Sequence, residues 1–552
     1  MSRHPLPRTA RTARATRTTP ATRTAAAARP RVLRALTAAV LAAGTALLCA
    51  PAAHAAAPQT TTTPTVVNPG FESNGTGTAT PTGWTASGTT AASYTEAGGH
   101  SGSYRLSHWS ASAYSVDTYQ TVTNITDGNY TLGAWVRSDD TGGANYISLS
   151  GCGSSTKTTY VPVDSDGNWI QIVDYVDVTN NQCTINLVSD SAAGAWTNYD
   201  DVTLTAGSAP VSVRGADVSS LYRGEQDGGV YSTSSGTEEN ALQIMSAAGL
   251  DYVRLRVFVN PADGFNDEAQ LLGGAKQASS TYHLPILLDL EYSDTWAAPG
   301  QQAIPAAWSS DSFSQLESQT YTYADQIVSA LVAQGTAPGM VQVGNEINAG
   351  MLLPDGSTGN WTQLGDLLKE GAAGVRAADS GAKIVLHLAG SDDLATLETW
   401  YSNAIAQGVS FDVIGISYYD YWDGRLDVLQ TDLNGLAAKY GKPVVVAETA
   451  YPWTLDNATG INTVTSSNTT LDPGYPATPA GQQANFRDVL SIVQAVPHGL
   501  GLGAFYWEPT WTIVSGNGWS TTDITTQTGW ENQAMFNLSD AALPAIGDYA
   551  AR

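Results

Sequence analysis

From residue 212 onward the chain alternates between short apolar runs and amphipathic stretches, and this alternation limits the possible folds more than any other feature. Nearly continuous hydrophobic strands joined by helices are typical of a parallel sheet covered on both faces. Eight runs within 211–552 predict a (β/α)8 barrel. The alternative is a doubly wound open sheet. That fold would be expected to have a glycine-rich phosphate-binding turn after an early strand, and the sequence has none there. The runs are SVRGAD (212–217), YVRLRVF (252–258), PILLDLEY (285–292), MVQVGNE (340–346), KIVLHLAG (383–390), VIGISYYD (413–420), PVVVAET (443–449) and LGAFYWEP (502–509).

Residues 66–207 have a different pattern, with short alternating runs bounded by Gly, Asn or Asp. Many short strands at regular spacing predict an all-β, jelly-roll-like β-sandwich ahead of the barrel. Examples are YTLGAWVRS (130–138) and WIQIVDYVDV (169–178). A Thr/Pro-rich linker at 56–65 precedes this domain.

The first 55 residues predict a secretory signal peptide and therefore an extracellular protein. Residues 1–34 contain nine Arg and no acid, residues 35–50 are apolar, and Ala53-His54-Ala55 forms a small-x-small cleavage site. No later segment is a candidate membrane span. In a secreted chain, Cys152 and Cys183 predict one disulfide, with two buried free thiols as the alternative.

Charge restricts the partners. Without the leader the chain keeps 16 Lys and Arg against 50 Asp and Glu, a formal net charge of −34. Such a chain repels nucleic acid and anionic lipid, and it disfavours acidic polymers. A neutral polymer is the expected partner, and we expect a monomer.

Two of the apolar runs end in a carboxylate, Glu346 on the fourth and Glu448 on the seventh. The C-terminal ends of barrel strands carry catalytic groups, and strands four and seven face each other across the mouth. Retaining glycosidases use two carboxyls about 5–5.5 Å apart, one as acid/base and one as nucleophile. Asn345 is suited to bind a sugar 2-hydroxyl. The alternative is that both Glu residues are structural.

Other residues could support this pair. Arg254 and Arg256 share a face of the second strand, and either could hold the nucleophile ionised or form a core ion pair. Tyr418 could donate to the nucleophile or pack in the core. Sugar rings stack on indole, so the many Trp residues near strand ends suggest a polysaccharide groove. The candidate substrate contacts are Asp294, Trp296, Trp422, Trp453, Trp507 and Glu508. No metal-ligand spacing is present among the His residues.

Several of these segments resemble glycoside hydrolase family 53, the arabinogalactan endo-β-1,4-galactanases. They include RGADVSSL (214–221), YSDTWAAPGQQ (292–302), MVQVGNEINAGMLLPDG (340–356), VVVAETAYPW (444–453) and WENQAMF (530–536). The resemblance implies a retaining (β/α)8 enzyme without a catalytic cofactor, with Glu346 as acid/base and Glu448 as nucleophile. The implied substrate is the β-1,4-galactan side chain of pectin, cleaved internally.

The sequence departs from this family near the sugar-binding face. Glu291 stands where the family usually has His, Asp420 and Asp423 where it usually has Pro and His, and Gln301 where it has Lys. Subsite preference and pH optimum are therefore open. Two other functions also stay open: a retaining endo-hydrolase of another neutral β-glycan, such as mannan or xylan, and a non-catalytic galactan-binding surface protein.

The N-terminal domain, which opens NPGFE (68–72) and closes WTNYDDVTL (196–204), resembles carbohydrate-binding module family 61. That resemblance implies galactan binding by aromatic stacking. The candidates are Trp109, Tyr114 and Trp196. Glu72 and Asp201, near opposite ends of the domain sequence, could share a structural Ca²⁺ ion.

Overall fold

The computed structural model describes residues 64–163, 167–390, 393–456, 463, 465–467, 471, 474–519 and 528–550. The predicted signal peptide and nearly all of the predicted linker lie outside these residues. Within the described residues, none of the helices combines the length and the hydropathy that crossing a membrane requires.

The N-terminal part is a sandwich of two antiparallel sheets, as predicted. Its sheets have the strand orders β1-β4-β9-β6-β7 and β2-β3-β10-β5-β8. Alternate residues face the space between the sheets, where Leu132, Ile147, Ile172 and Leu187 are fully buried. The strands are β1 Thr85–Gly88, β2 Ser93–Ala97, β3 Tyr104–Trp109, β4 Tyr114–Thr123, β5 Gly128–Ser138, β6 Ala144–Ser150, β7 Lys157–Tyr160, β8 Ile170–Val178, β9 Gln182–Ser191 and β10 Trp196–Ala206.

The predicted disulfide is confirmed. Cys152 and Cys183 are bonded and fully buried, and they join the connection between β6 and β7 to the start of β9. The alternative of two free thiols is therefore wrong.

The C-terminal part is the predicted closed barrel of eight parallel strands. Most strand residues are buried on both faces, as a barrel covered by helices requires. The barrel strands are β11 Val213–Asp217, β12 Tyr252–Val257, β13 Ile286–Leu290, β14 Met340–Val343, β17 Lys383–Leu388, β18 Val413–Ser417, β19 Val444–Thr449 and β20 Gly501–Trp507, and a small hairpin is formed by β15 Gly350–Met351 and β16 Gly356–Ser357.

Helices connect the barrel strands. The longest, α4, begins at a capping box formed by Ser312 and Gln315 and ends at Gly335, whose positive φ closes its last turn. The helices are α1 Leu221–Gln226, α2 Ala241–Ala248, α3 Glu268–Ala275, α4 Phe313–Gln334, α5 Trp361–Ala378, α6 Leu394–Ala406, α7 Asp420–Asp423, α8 Leu426–Tyr440 and α9 Pro479–Gln494.

The sandwich packs against the barrel through β8, the edge strand of its second sheet. The Gln430 side chain on α8 accepts from the backbone N–H of Gln171 and donates to its carbonyl, both at 2.8 Å. The hydroxyl of Tyr175 donates to the carbonyl of Gln494 at the end of α9. These bonds cover an edge that would otherwise present unpaired backbone groups.

A buried arginine organises the interior of the barrel. The Arg254 guanidinium lies 2.6 Å from Asp217 Oδ2 and 2.8 Å from Asp289 Oδ2, and its Nε donates to Gln342. All four side chains are buried, so the arginine compensates the cost of burying two carboxylates.

We expect Arg254→Ala to lower the free energy of unfolding by about 3–5 kcal/mol, because it leaves buried carboxylates without a counter-charge. Urea denaturation followed by tryptophan fluorescence measures this. Arg376→Ala is the matched control, since Arg376 pairs with Asp412 at the surface and should lose less than about 1 kcal/mol. Equal losses in the two variants would contradict the prediction.

Candidate active site

Glu448 lies in β19 at the C-terminal rim of the barrel. Its Oε1 is 2.8 Å from Nη2 of Arg254, and its Oε2 accepts from the Tyr419 hydroxyl at 3.0 Å. The residue is only 6 % exposed. A register shift places an extra β19 residue, Ala447, beside β18, so that Glu448 pairs with Ser417. Such a bulge changes the direction of a side chain next to a site.

Glu346 follows β14, the fourth strand of the barrel. Its backbone adopts a left-handed conformation, with φ of 46°, which is rare for a non-glycine residue and common at functional sites. The Ser417 hydroxyl donates to Glu346 Oε1 at 2.7 Å. Since Ser417 is also the residue opposite Glu448 in the sheet, both carboxyls belong to one site.

The two carboxyls have different surroundings. Burial raises the pKa of Glu346 to about 8, and the negative charge of Glu448 adds to this rise. Burial also raises the pKa of Glu448, but the Arg254 guanidinium opposes it. These effects favour the proton on Glu346 and the negative charge on Glu448.

A chain of hydrogen bonds connects the barrel centre to Glu346. His387 Nδ1 lies 2.9 Å from both the Gln342 amide nitrogen and Asn345 Oδ1. Because Ser417 gives its single proton to Glu346, the neutral imidazole carries its proton on Nε2, and Nδ1 accepts from Gln342. Nε2 lies 2.9 Å from the Ser417 oxygen and donates to it, which turns the serine proton towards Glu346. Burial lowers the pKa of His387 well below its usual value, which keeps the ring neutral.

Asn345 is part of the same network. Its Oδ1 accepts from Arg254 at 2.8 Å, and its Nδ2 donates to the Ala297 carbonyl at 2.8 Å. An amide nitrogen has two hydrogens, so one remains for a ligand. The contact with a sugar 2-hydroxyl stays a prediction.

The two arginines form ion pairs with different glutamates. Arg254 contacts Glu448, whereas Arg256 lies 2.6 Å from Glu508 Oε1 and 3.5 Å from Asp217. Glu508 is fully buried and also accepts from Ser220. The expectation that Glu508 contacts substrate is therefore corrected, because its carboxylate is used inside the protein by an ion pair.

The tyrosine expected at the nucleophile is also corrected. The Tyr418 hydroxyl donates to the Gly424 carbonyl, while its backbone N–H donates to the carbonyl of Glu448. The hydroxyl that reaches the Glu448 carboxylate belongs to Tyr419. Side chains alternate along extended chain, so Tyr419 shares a face with Ser417, and Tyr418 points the other way.

Tryptophans line the rim beside the carboxyls. Trp296 stacks on Trp519 with a centroid distance of 4.8 Å and lies under the Arg256 guanidinium. Trp507, buried, packs edge-to-face on Trp530. Trp453 is partly exposed and donates to the Glu531 carbonyl. Trp422 packs edge-to-face with Tyr419 and Tyr421 but is 62 % exposed, so much of its ring surface is open to a ligand.

The remaining acidic residues accept hydrogen bonds from groups within the protein. Asp294 accepts from the backbone N–H groups of Asn260 and Ala306. Asp420 accepts from Asn485, and Asp423 accepts from the Tyr419 N–H. Glu291 is buried and accepts from the Ala297 N–H; burial raises its pKa well above the usual value, and the charge of Asp289 adds to this rise.

The sandwich carries a second candidate site on its outer face. A cleft of ≈ 540 Å³ is lined by residues that include Tyr94, Arg105, Trp109, Arg137 and Trp196. The Arg137 guanidinium lies over the rings of Trp169 and Trp196.

Of the three stacking candidates, this cleft contains Trp109 and Trp196. Tyr114 is corrected. It is 3 % exposed, and its hydroxyl donates to the backbone carbonyl of His108, so it packs inside the sandwich.

Glu72 and Asp201 both lie close to Gly70. Glu72 Oε1 accepts from the N–H groups of Ser103 and Tyr104, and the two Asp201 oxygens accept from Ser101 and His100. Among the described residues, no group of three or more His, Cys, Asp or Glu is placed to hold a metal. The side chains of this pair alone do not make a calcium site.

Comparison with known proteins assigns the chain to a family. The family model of glycosyl hydrolase family 53 matches residues 213–548. An uncharacterised protein of the bgaB 5′ region of Niallia circulans is 38 % identical, over 60 % of this chain and 92 % of its own. An endo-β-1,4-galactanase of Bacillus subtilis is 32 % identical, over 60 % and 84 %.

A solved structure of a member of this family is also similar to the chain. The GH53 catalytic domain of Ignisphaera aggregans is 35 % identical and aligns with a TM-score of 0.59, over 62 % of this chain and 98 % of its own. The chain therefore belongs to glycosyl hydrolase family 53, and its barrel is a glycoside hydrolase domain.

Proposed function

We propose that this enzyme is a secreted, retaining endo-β-1,4-galactanase that cleaves internal bonds of the galactan side chains of pectin. The observation that carries the proposal is the pair of unlike carboxyls, with the proton favoured on Glu346 and the charge favoured on Glu448. The predicted leader supports secretion.

In the first step, Glu448 attacks the anomeric carbon while Glu346 gives its proton to the departing glycosidic oxygen. The C–O bond breaks and a covalent galactosyl ester forms on Glu448. In the second step, Glu346 removes a proton from water, the water oxygen attacks the same carbon, and Glu448 leaves as a carboxylate. Two inversions at one carbon retain the β configuration.

Contacts around Glu448 support its role as nucleophile. Arg254 and the Tyr419 hydroxyl each contact one carboxylate oxygen, and both contacts stabilise the ionised form. The same two donors stabilise the charge that returns to Glu448 when the ester breaks.

Three observations support galactan as the substrate. The Bacillus subtilis relative is named an endo-β-1,4-galactanase. The aromatic rim offers faces for sugar C–H groups, of which Trp422 is the most exposed. The net negative charge of the chain favours a neutral polymer over an acidic one.

The cleft on the outer face of the sandwich, hereafter the module cleft, is proposed as a second galactan-binding site. Trp109 and Trp196 are the proposed stacking residues, and Arg137, Arg105 and Glu96 supply polar groups for sugar hydroxyls. A calcium ion at Glu72 and Asp201 would need backbone carbonyls or water as further ligands. Its proposed role is structural.

We expect Glu448→Gln to lower kcat on galactan by a factor on the order of 10⁴, since the amide cannot form the ester. Reducing-sugar release from galactan, mannan and xylan, assayed side by side, measures both activity and preference. The control Glu398→Gln changes a surface glutamate that pairs with Lys439 and should keep full activity. Hydrolysis of mannan or xylan in preference to galactan would favour the other neutral-glycan reading.

The pH profile of kcat/KM should fall above about pH 8, because Glu346 must be protonated to act as the acid. The Ser417 hydroxyl stabilises the ionised carboxyl and so lowers its pKa. Ser417→Ala should therefore move the alkaline limb to higher pH. Ser402→Ala, which removes a hydroxyl bonded to Tyr440 on the outer helices, serves as control. A limb that stays in place or moves to lower pH would contradict the assignment.

A further inference from the structure

The module cleft and the active site lie at the same end of the protein, and the docking contacts establish this. In a (β/α)8 barrel the strands end, and the helices that follow them begin, at the catalytic rim. Asp427, in the first turn of α8, accepts from Asn168 of the sandwich at 2.7 Å. Gln430, one turn later, bonds both backbone groups of Gln171. The start of β8 is therefore at the catalytic rim.

The other end of β8 is at the opposite rim. Tyr175 donates to the carbonyl of Gln494, the last residue of α9, and that helix ends where the chain turns back to enter β20. Edge strand β8 thus runs along the barrel wall, away from the active site, as residue numbers increase.

The pairing of residues between strands shows which part of each neighbouring strand lies at the same end as the start of β8. Gln171 pairs with Trp135 on β5, Arg137 pairs with Asn198 on β10, and Asn198 pairs with Ser107 on β3. This row continues to Tyr94 on β2. Tyr94, Ser107, Arg137 and Asn198 all line the module cleft, and Trp109 and Trp196 extend it further in the same direction. The cleft is therefore at the rim end of the sandwich.

A short segment joins the two sites along the chain. Tyr419, which is bonded to Glu448, and Asp427, which is bonded to the sandwich, are eight positions apart, a distance of at most about 28 Å when the chain is fully extended. The short helix α7 within this segment makes the real distance smaller. It also carries Trp422, the most exposed of the large hydrophobic side chains described.

We propose that the catalytic groove, Trp422 and the module cleft form one binding track for a single galactan chain. The module then supplies distal subsites in fixed alignment with the active site, instead of an independent anchor. This inference rests on the proposed galactanase function. A docked module holds its site at one distance from the groove, so a chain long enough to span both gains affinity that a shorter one cannot.

Calorimetric titration of the inactive Glu448→Gln variant with β-1,4-galacto-oligosaccharides of defined length tests the proposal. A trisaccharide should bind at two sites per protein. A chain long enough to span both sites should bind once per protein, and at least about tenfold more tightly than the trisaccharide. Two long chains per protein, or one long chain joining two protein molecules, would overturn the track.

The same titration with Trp196→Ala added isolates the contribution of the module. Trisaccharide stoichiometry should fall from two to one, and the affinity for the long chain should fall at least about tenfold. Trp109→Ala is the second variant, should the first fail to fold. Tyr104→Ala, an aromatic at the opposite end of β3 and outside the cleft, is the matched control and should change neither value. An unchanged long-chain affinity in both tryptophan variants would overturn the track.

The two proposals fail in different ways. If the wild-type enzyme hydrolyses galactan but the Glu448→Gln variant binds two long chains, only the single track is wrong. If the wild-type enzyme does not hydrolyse galactan, the proposed function falls, and the track falls with it.

Discussion

The Arg254 guanidinium is the interaction on which both the fold and the chemistry depend. It sits at the centre of the barrel and contacts Asp217 on β11, Asp289 on β13 and Glu448 on β19. A rigid five-donor fork can satisfy several carboxylates at once, which an ammonium group cannot do with fixed geometry. Two of these partners, Asp217 and Asp289, are structural, and the third, Glu448, is at the site. The guanidinium that neutralises the buried aspartates therefore also positions Glu448 and favours its ionised form.

Two chemically identical side chains have proposed roles that differ because their neighbours differ. Both carboxyls are removed from water, which alone would favour the protonated form of each. Arg254 opposes that effect at both carboxyls, but it is in direct contact with Glu448, where it is the largest opposing influence, and the anion favoured there disfavours a second negative charge nearby. Glu346 has a serine hydroxyl instead, whose orientation is set by His387 and Gln342. One asymmetrically placed cation thus distinguishes the proposed proton donor from the proposed nucleophile.

The barrel, its strand ends and the two carboxyls could be predicted from sequence because they depend on local period and chain order. The errors have a common cause. The predicted Tyr418 is one residue away from Tyr419, which reaches Glu448, and one residue of alternation decides which side chain enters the barrel. Glu508 and Tyr114 looked available because their partners, Arg256 and the His108 carbonyl, are set by tertiary contacts. His387 and Ser417 give no motif, since their relay exists only once three strands are adjacent.

The contact between sandwich and barrel follows from strand physics. An edge strand must cover its outward backbone groups, and these occur at alternate residues. Gln430 bonds Gln171, and Gln494 bonds the carbonyl of Val173, two residues further along the same edge. A slide of β8 by one residue would present the wrong groups to both amides and would turn the wrong face outwards. The hydrogen bonds that cover this edge therefore also determine which face of the sheet is exposed. They determine the position of the module cleft along the barrel axis as well.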